Sequence, residues 1–208
     1  MPSPFLRPDS VAFGHMLTDA AVGILSEAGA TAFSSRALAA TLGITPSALS
    51  QRAGRTEVLR VVFVFFADRW EAWTHDLGPS AVPARLPETE DEVLGVRAWH
   101  ALDELARGEL AQGNDVPAAV LALARERESE LVARRLTGLL GARPADADLA
   151  VVMALVGGLR REVTTTPEPS ISTAMATELL TGHVASLAAR LPQSVRSQSV
   201  RSQSVRSA

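Results

Sequence analysis

Cysteine, lysine and tyrosine are all absent from the 208 residues. Without cysteine there is no disulfide and no thiol nucleophile, and the usual zinc sites lose their commonest ligand, which suits a reducing cytoplasm. Without lysine, every basic side chain is arginine, a bias that points to a GC-rich coding genome more than to a function. Aromatics make up only 4% of the chain. No apolar run approaches the ~18–20 residues of a membrane span, so no membrane partner is expected. The start, MPSPFLRPDS, lacks the charged-then-apolar pattern of a secretion signal. No Gly-rich phosphate loop, G-x-S-x-G or H-E-x-x-H occurs, and His15, His75, His100 and His183 are dispersed, so catalysis finds little footing and no enzyme activity or cofactor is expected. What is abundant is apolar mass: 47% of residues are hydrophobic against a net charge of −3, the composition of a chain that folds.

The apolar spacing is helical throughout, with no sustained alternation of strand type. A first helix follows a cap at Asp9 or Ser10, runs through Phe13, Leu17, Ala21, Ile24 and Ala28, and stops at Gly29. Ser34 caps a second over Ser35 to Leu42, which Gly43 ends. Thr45 caps a third, opened by Pro46 and closed by Gly54. A long fourth helix spans Thr56 to about Asp76, with Leu59, Val62, Phe63, Phe66 and Trp70 on one face. A Pro-containing break at 78–87 precedes helical segments near 88–111, 116–141, 145–164 and 170–191. The last residues, SVRSQSVRSQSVRSA, form a pentapeptide repeat with too little apolar mass to pack. Its arginines Arg196, Arg201 and Arg206 fit an inert, solvated extension better than a nucleic-acid contact.

The stretch LAATLGITPSALSQRAGRTEVLR, 38–60, has the form of a helix-turn-helix that reads DNA. Such a unit needs a short second helix whose first residues meet base edges, and a tight turn tolerant of positive φ, which Gly43 supplies. Leu38, Leu42, Ile44 and Leu49 would form its apolar nucleus. Thr45, Pro46, Ser47, Ala48, Ser50, Gln51 and Arg52 remain on or near the outer face. Gln51 can pair with adenine and Arg52 with guanine or phosphate. Ser34, Ser35 and Arg36 before the turn, and Arg55, Thr56 and Arg60 after it, are candidate phosphate contacts. From Ser34 to Arg60, four arginines stand against Glu57 alone, a basic segment in an acidic chain. An ordinary helical corner would share the turn but not this local charge.

On these residues the chain resembles the TetR family of transcriptional repressors. Gly29, Ser34, Leu38-Ala39, Gly43-Ile44-Thr45, Leu49 and Glu57-Val58-Leu59 occupy the places of the family's N-terminal pattern in order, over about the first third of the chain. It departs from that pattern at three positions. Ser50 stands where the family usually has a tyrosine that bonds phosphate, Ala53 where it has phenylalanine, and Thr56 where it has lysine. The resemblance implies an all-α protein: an N-terminal three-helix DNA-binding domain with a helix-turn-helix, over 1–55, and a linking fourth helix, over 56–78. A larger C-terminal helical ligand-binding and dimerisation domain would follow over 79–191, then a disordered tail over 192–208. It implies a one-component regulator in the cytoplasm, most simply a repressor released from double-stranded operator DNA by a small-molecule inducer. The alternative is a helical dimer that binds a small molecule or protein and no longer reads DNA.

Ligand-binding candidates are Phe66, Trp70, Trp73, Trp99, His100 and Asp103, aromatic walls with a few polar groups. His100 with Asp103 or Glu104 has the spacing of a metal pair, but no third ligand is visible, and no metal is expected. The homodimer is expected through Leu149, Val152, Met153, Val156 and Leu159 of one helix with Met175, Leu179, Leu180, Val184 and Leu187 of the last. Gly157 and Gly158 would admit a partner helix, giving a four-helix interface.

Overall fold

The computed structural model describes residues 8–76, 82–165 and 168–190, with side chains from Val11. The SVRSQ repeat and the start of the Pro-containing break lie outside the described residues. Within them all regular structure is helical. The helices are α1 (Pro8–Ala28), α2 (Ser35–Thr41), α3 (Pro46–Arg52), α4 (Arg55–His75), α5 (Glu90–Ala111), α6 (Val116–Leu140), α7 (Asp146–Thr164) and α8 (Thr173–Arg190), with a 3-10 turn at Ala30–Ala32. The first helix starts at Pro8, before the expected cap.

The helix ends follow local chemistry. Gly29 leaves α1 at φ 75°. The Ser34 hydroxyl accepts the Ala37 amide at 3.1 Å, and the Thr45 hydroxyl accepts the Ala48 amide at 3.1 Å, each satisfying a first-turn donor that has no partner within its own helix. Gly43 adopts φ 67°, where a side chain would be strained, and lets the Ile44 amide reach the Ala39 carbonyl at 3.0 Å. Thr89 and Glu92 form a reciprocal capping box at the start of α5.

The chain divides into two compact units, neither continuous in sequence. One comprises residues up to Ala72 together with Thr89–Arg125, the other Trp73–Glu88 together with the residues from Glu126 on. The first unit holds α1 to α3, most of α4, all of α5 and the start of α6. Its core joins Leu17, Ala21 and Leu25 of α1, Leu38 of α2, Leu49 of α3, Val62, Phe63 and Phe66 of α4, and Val96, Trp99 and Leu102 of α5. Helix α1 packs on α2 and α5. Gly14 lies tight against Phe65 of α4: a Cβ there would lie 2.6 Å from the Phe65 ring.

The second unit closes around Val82, Ala84 and Leu86 of the connector, Val132 and Leu136 of α6, Val152, Val156, Leu159 and Val163 of α7, and Leu180, Val184 and Leu187 of α8. Arginines hold the end of α4 within it. Arg135 donates to the Thr74 and His75 carbonyls, each at 3.0 Å, and Arg85 donates to the Asp76 carbonyl. These carbonyls have no partner within their own helix, so a guanidinium fork is a natural cap. Arg160 and Glu128, both about nine-tenths buried or more, pair at 2.6 Å. The Arg160 Nε also donates to the Arg85 carbonyl at 3.0 Å. Trp73 lies under two guanidiniums, Arg160 at 5.0 Å and Arg85 at 5.6 Å from its ring.

Candidate nucleic-acid interface

The turn between α2 and α3 carries the residues that the sequence offered for DNA contact. Leu38, Ala39 and Leu49 are buried beneath it, fixing the two helices on each other. Thr45, Pro46, Ser47, Ser50, Gln51 and Arg52 are exposed along α3 and its cap, while Ala48 is half-buried. Ser34 and Ser35 are half-buried and Arg36 is exposed. The Ser34 and Thr45 hydroxyls are engaged as caps. The Ser50 hydroxyl turns back onto the Pro46 carbonyl at 2.9 Å, so it does not take the outward role of the family's tyrosine in this state. Arg52 lies 5.1 Å over the Phe13 ring, which limits its wandering without neutralising its charge.

The basic character is weaker in three dimensions than in one. Arg60 is half-buried and forked onto Glu57 at 2.9 and 2.6 Å. The hydrogen bond from Arg60 holds the Glu57 carboxyl below its ordinary range, even against the opposing effect of burial. An i,i+3 pair on α4 therefore neutralises a residue that the sequence offered as a phosphate contact. Arg55 and Thr56 are exposed at the entry of α4. Arg55 reaches Glu109 at 2.5 Å, across 54 residues of sequence. Glu109 is buried on α5, and Asn114 donates to its other oxygen at 3.0 Å. Burial pushes this carboxyl up, but the Asn114 and Arg55 hydrogen bonds outweigh that and hold it below the ordinary carboxylate value. Sequence reasoning missed Glu109, because a glutamate near the end of an amphipathic helix carries no local sign of a partner on another helix.

A structure from Rhodococcus sp., provisionally described as a TetR-family transcriptional regulator, superposes with a TM-score of 0.68 at 18% identity, over 84% of this chain and 98% of that one. The fold is that of the TetR-family regulators. A transcriptional regulator from Pseudomonas aeruginosa PAO1, also provisionally described, matches at TM-score 0.61 and 17% identity, over 90% of this chain and 95% of its own. One from Streptomyces coelicolor A3(2) matches at 0.53 and 17%, over 82% and 96%. No family model and no curated protein matches the sequence.

The six ligand-binding candidates are divided between the two compact units, with Phe66, Trp70, Trp99, His100 and Asp103 in the first. Trp70 and Trp99 stack at 4.3 Å with planes 11° apart, and Phe66 follows Trp99 at 6.1 Å. All three are largely buried and contribute to the core of the first unit. Asp103, on α5 with His100, pairs with Arg107 at 2.7 Å and with Arg125, whose guanidinium lies 5.9 Å over Trp99. Trp73 belongs to the other compact unit. Among the described residues no group of three or more His, Asp or Glu side chains is placed to hold a metal. The second unit carries an open cleft of about 580 Å³ that the sequence did not suggest, lined by Glu126, Glu130, Arg134, Thr137, Arg143 and Leu149.

The ten dimer candidates divide. Val152, Val156, Leu159, Leu180, Val184 and Leu187 belong to the subunit's own core, and Leu149 and Met153 pack against it. In the single chain the apolar stripes of α7 and α8 are thus largely used within the subunit's own core. Met175 and Leu179 remain 51% exposed on α8, and Val151 on α7, which the sequence reading did not name, is 52% exposed. Among the described residues no helix is long and apolar enough to cross a membrane.

Proposed function

We propose that this chain is a one-component, DNA-binding transcriptional regulator acting as a homodimer, most simply a repressor released from operator DNA by a small molecule. The observation that carries the reading is the α2–Gly43–α3 unit, with Ser47, Gln51 and Arg52 exposed on a short helix held from beneath by Leu49. That arrangement suits insertion of α3 into the major groove. The functional partition follows the sequence: reading over 1–55, linkage through α4 over 56–78, and ligand binding with dimerisation over 79–191. The protein works in the cytoplasm and by binding rather than catalysis. The dimer forms through α7 and α8, where Val151, Met175 and Leu179 are exposed, with a two-fold partner that matches paired half-sites. An inducer engages the edge of the Phe66–Trp99–Trp70 stack beside His100 and Asp103. It releases DNA only if it binds the two conformations with different affinity.

Fluorescence anisotropy on the DNA flanking the gene, across a salt series with random duplex as competitor, tests this directly. Competitor-resistant binding that Gln51→Ala and Arg52→Ala make less selective is the expected result. One observation favours a second reading. Glu57 and Glu109 take up two of the four arginines around the motif, leaving less charge for counterion release. If wild type binds operator and random duplex equally weakly, the chain is instead a ligand- or partner-binding module on the same scaffold.

A further inference from the structure

The pair Arg55–Glu109 is asymmetric in a way that a simple structural tether would not require. The Glu109 side chain is 6% exposed and that of Arg55 is 51% exposed. The carboxylate is therefore the fixed half. One oxygen meets Arg55 Nη2, the other meets Asn114 Nδ2, and the Asn114 amide closes on the Glu109 carbonyl at 2.9 Å around the left-handed Gly113. Arg55 is the first residue of α4, and only Ala53 and Gly54 separate it from the reading helix α3. A guanidinium has five N–H donors, and the contact with Glu109 leaves most of them for another oxygen anion. An arginine already held in one position loses less freedom when it meets a phosphate than one that sweeps through solvent.

We propose that Glu109 is a positioning residue for DNA binding: its buried carboxylate fixes Arg55 at the entry of α4 to meet a backbone phosphate, and Asn114 ties that contact to the α5–α6 turn. The inference rests on the DNA-reading proposal above and adds to it a route by which a change in α5 or the α5–α6 turn alters phosphate anchoring at the edge of the reading head. If the turn shifts, the arginine loses its seat while α3 keeps its own fold.

The test is a binding cycle on operator DNA across a salt series, with wild type, Arg55→Ala, Glu109→Gln and the double variant. Glu109→Asp is added as a variant that keeps the charge but shortens the reach, and thermal melts establish that each folds. Arg55→Ala is expected to weaken binding roughly tenfold and to reduce the salt slope by about 0.9, one phosphate contact. Glu109→Gln and Glu109→Asp should each weaken binding several-fold in the wild-type background and change nothing further once Arg55 is alanine. A purely structural role would give the same loss in both backgrounds with the slope unchanged, and that result overturns the proposal. So does tighter binding by Glu109→Gln, which would make Glu109 only a neutralising charge. If wild type itself shows no salt-dependent binding, the DNA reading falls and this inference falls with it. Binding by wild type with an additive cycle would remove this inference alone.

Discussion

Glu128→Ala should be among the most destabilising single changes outside the apolar core. Arg160 keeps only 5% of its side chain exposed and Glu128 6%, so neither charge is solvated, and each depends on the other at 2.6 Å. Removing the carboxylate takes the 2.6 Å ion pair from a buried guanidinium, while contacts such as the Arg85 carbonyl at 3.0 Å and the face of Trp73 at 5.0 Å stay. Breaking a buried pair from one side costs about 3–5 kcal/mol. Those remaining contacts and the recovered desolvation of Glu128 place the expected loss at the lower end, about 3 kcal/mol. At about 2–4 °C per kcal/mol for a chain of this size, the midpoint should fall by roughly 6–12 °C. Glu128→Gln, which retains a neutral acceptor, should lose less, about 1–2 kcal/mol. The companion variant carries Arg160→Met with Glu128→Gln. With no charge left to strand, it should recover much of the loss, because replacing both ions by well-packed groups is often near neutral. Urea denaturation followed by circular dichroism, at one protein concentration, measures all three. A loss below about 1 kcal/mol for Glu128→Ala, or no recovery in the double variant, would mean that the pair is more hydrated than its burial implies and would refute the argument.

Other expectations follow from equally local geometry. Gly14→Ala should destabilise by about 1 kcal/mol: the ~1 kcal/mol helix-propensity gain is outweighed by about 1–3 kcal/mol of overpacking against Phe65. With Phe65→Ala in place the same change should turn stabilising, and thermal melts of the four proteins would expose a wrong sign. Glu109 and Asp103 both have carboxyls held below their ordinary values; at Asp103 burial opposes the shift, and hydrogen bonds from Arg125 and Arg107 more than overcome it. Their folded values lie below the unfolded ones, so their contribution is complete above the unfolded value and is lost as pH falls through the folded one. Melting temperature should therefore drop on acidification below about pH 5, and Arg55→Ala should flatten part of that drop. Leu179→Asp should convert a dimer to a monomer, with little effect on monomer stability, because Leu179 is half-exposed in the subunit; light scattering decides it.

Much of the helical framework was legible because it is written in short-range chemistry. A side chain three residues from an amide caps a helix, as Ser34 and Thr45 do. Gly29 and Gly43 take the positive φ that ends one helix and admits the next. The short helix α3, Pro46–Arg52, was placed by its Thr45 cap, Pro46 and the following Gly54, and its inner side by Leu49, which is buried. Periodicity likewise revealed that α7 and α8 each have a broad apolar face, but it could not say what would cover it. That depended on how the helices pack: the subunit's own core took Val152, Val156, Leu180 and Val184, leaving Val151, Met175 and Leu179 outside. Only tertiary structure brought Glu109 to Arg55, set Arg85 and Arg160 against the Trp73 ring, and brought Phe66, Trp70 and Trp99 into a stack. The division has a physical cause. Caps, turns and amphipathic stripes are decided within a few residues by backbone geometry, whereas the partner of a buried charge or ring is decided by whichever distant surface the packing of helices carries to it.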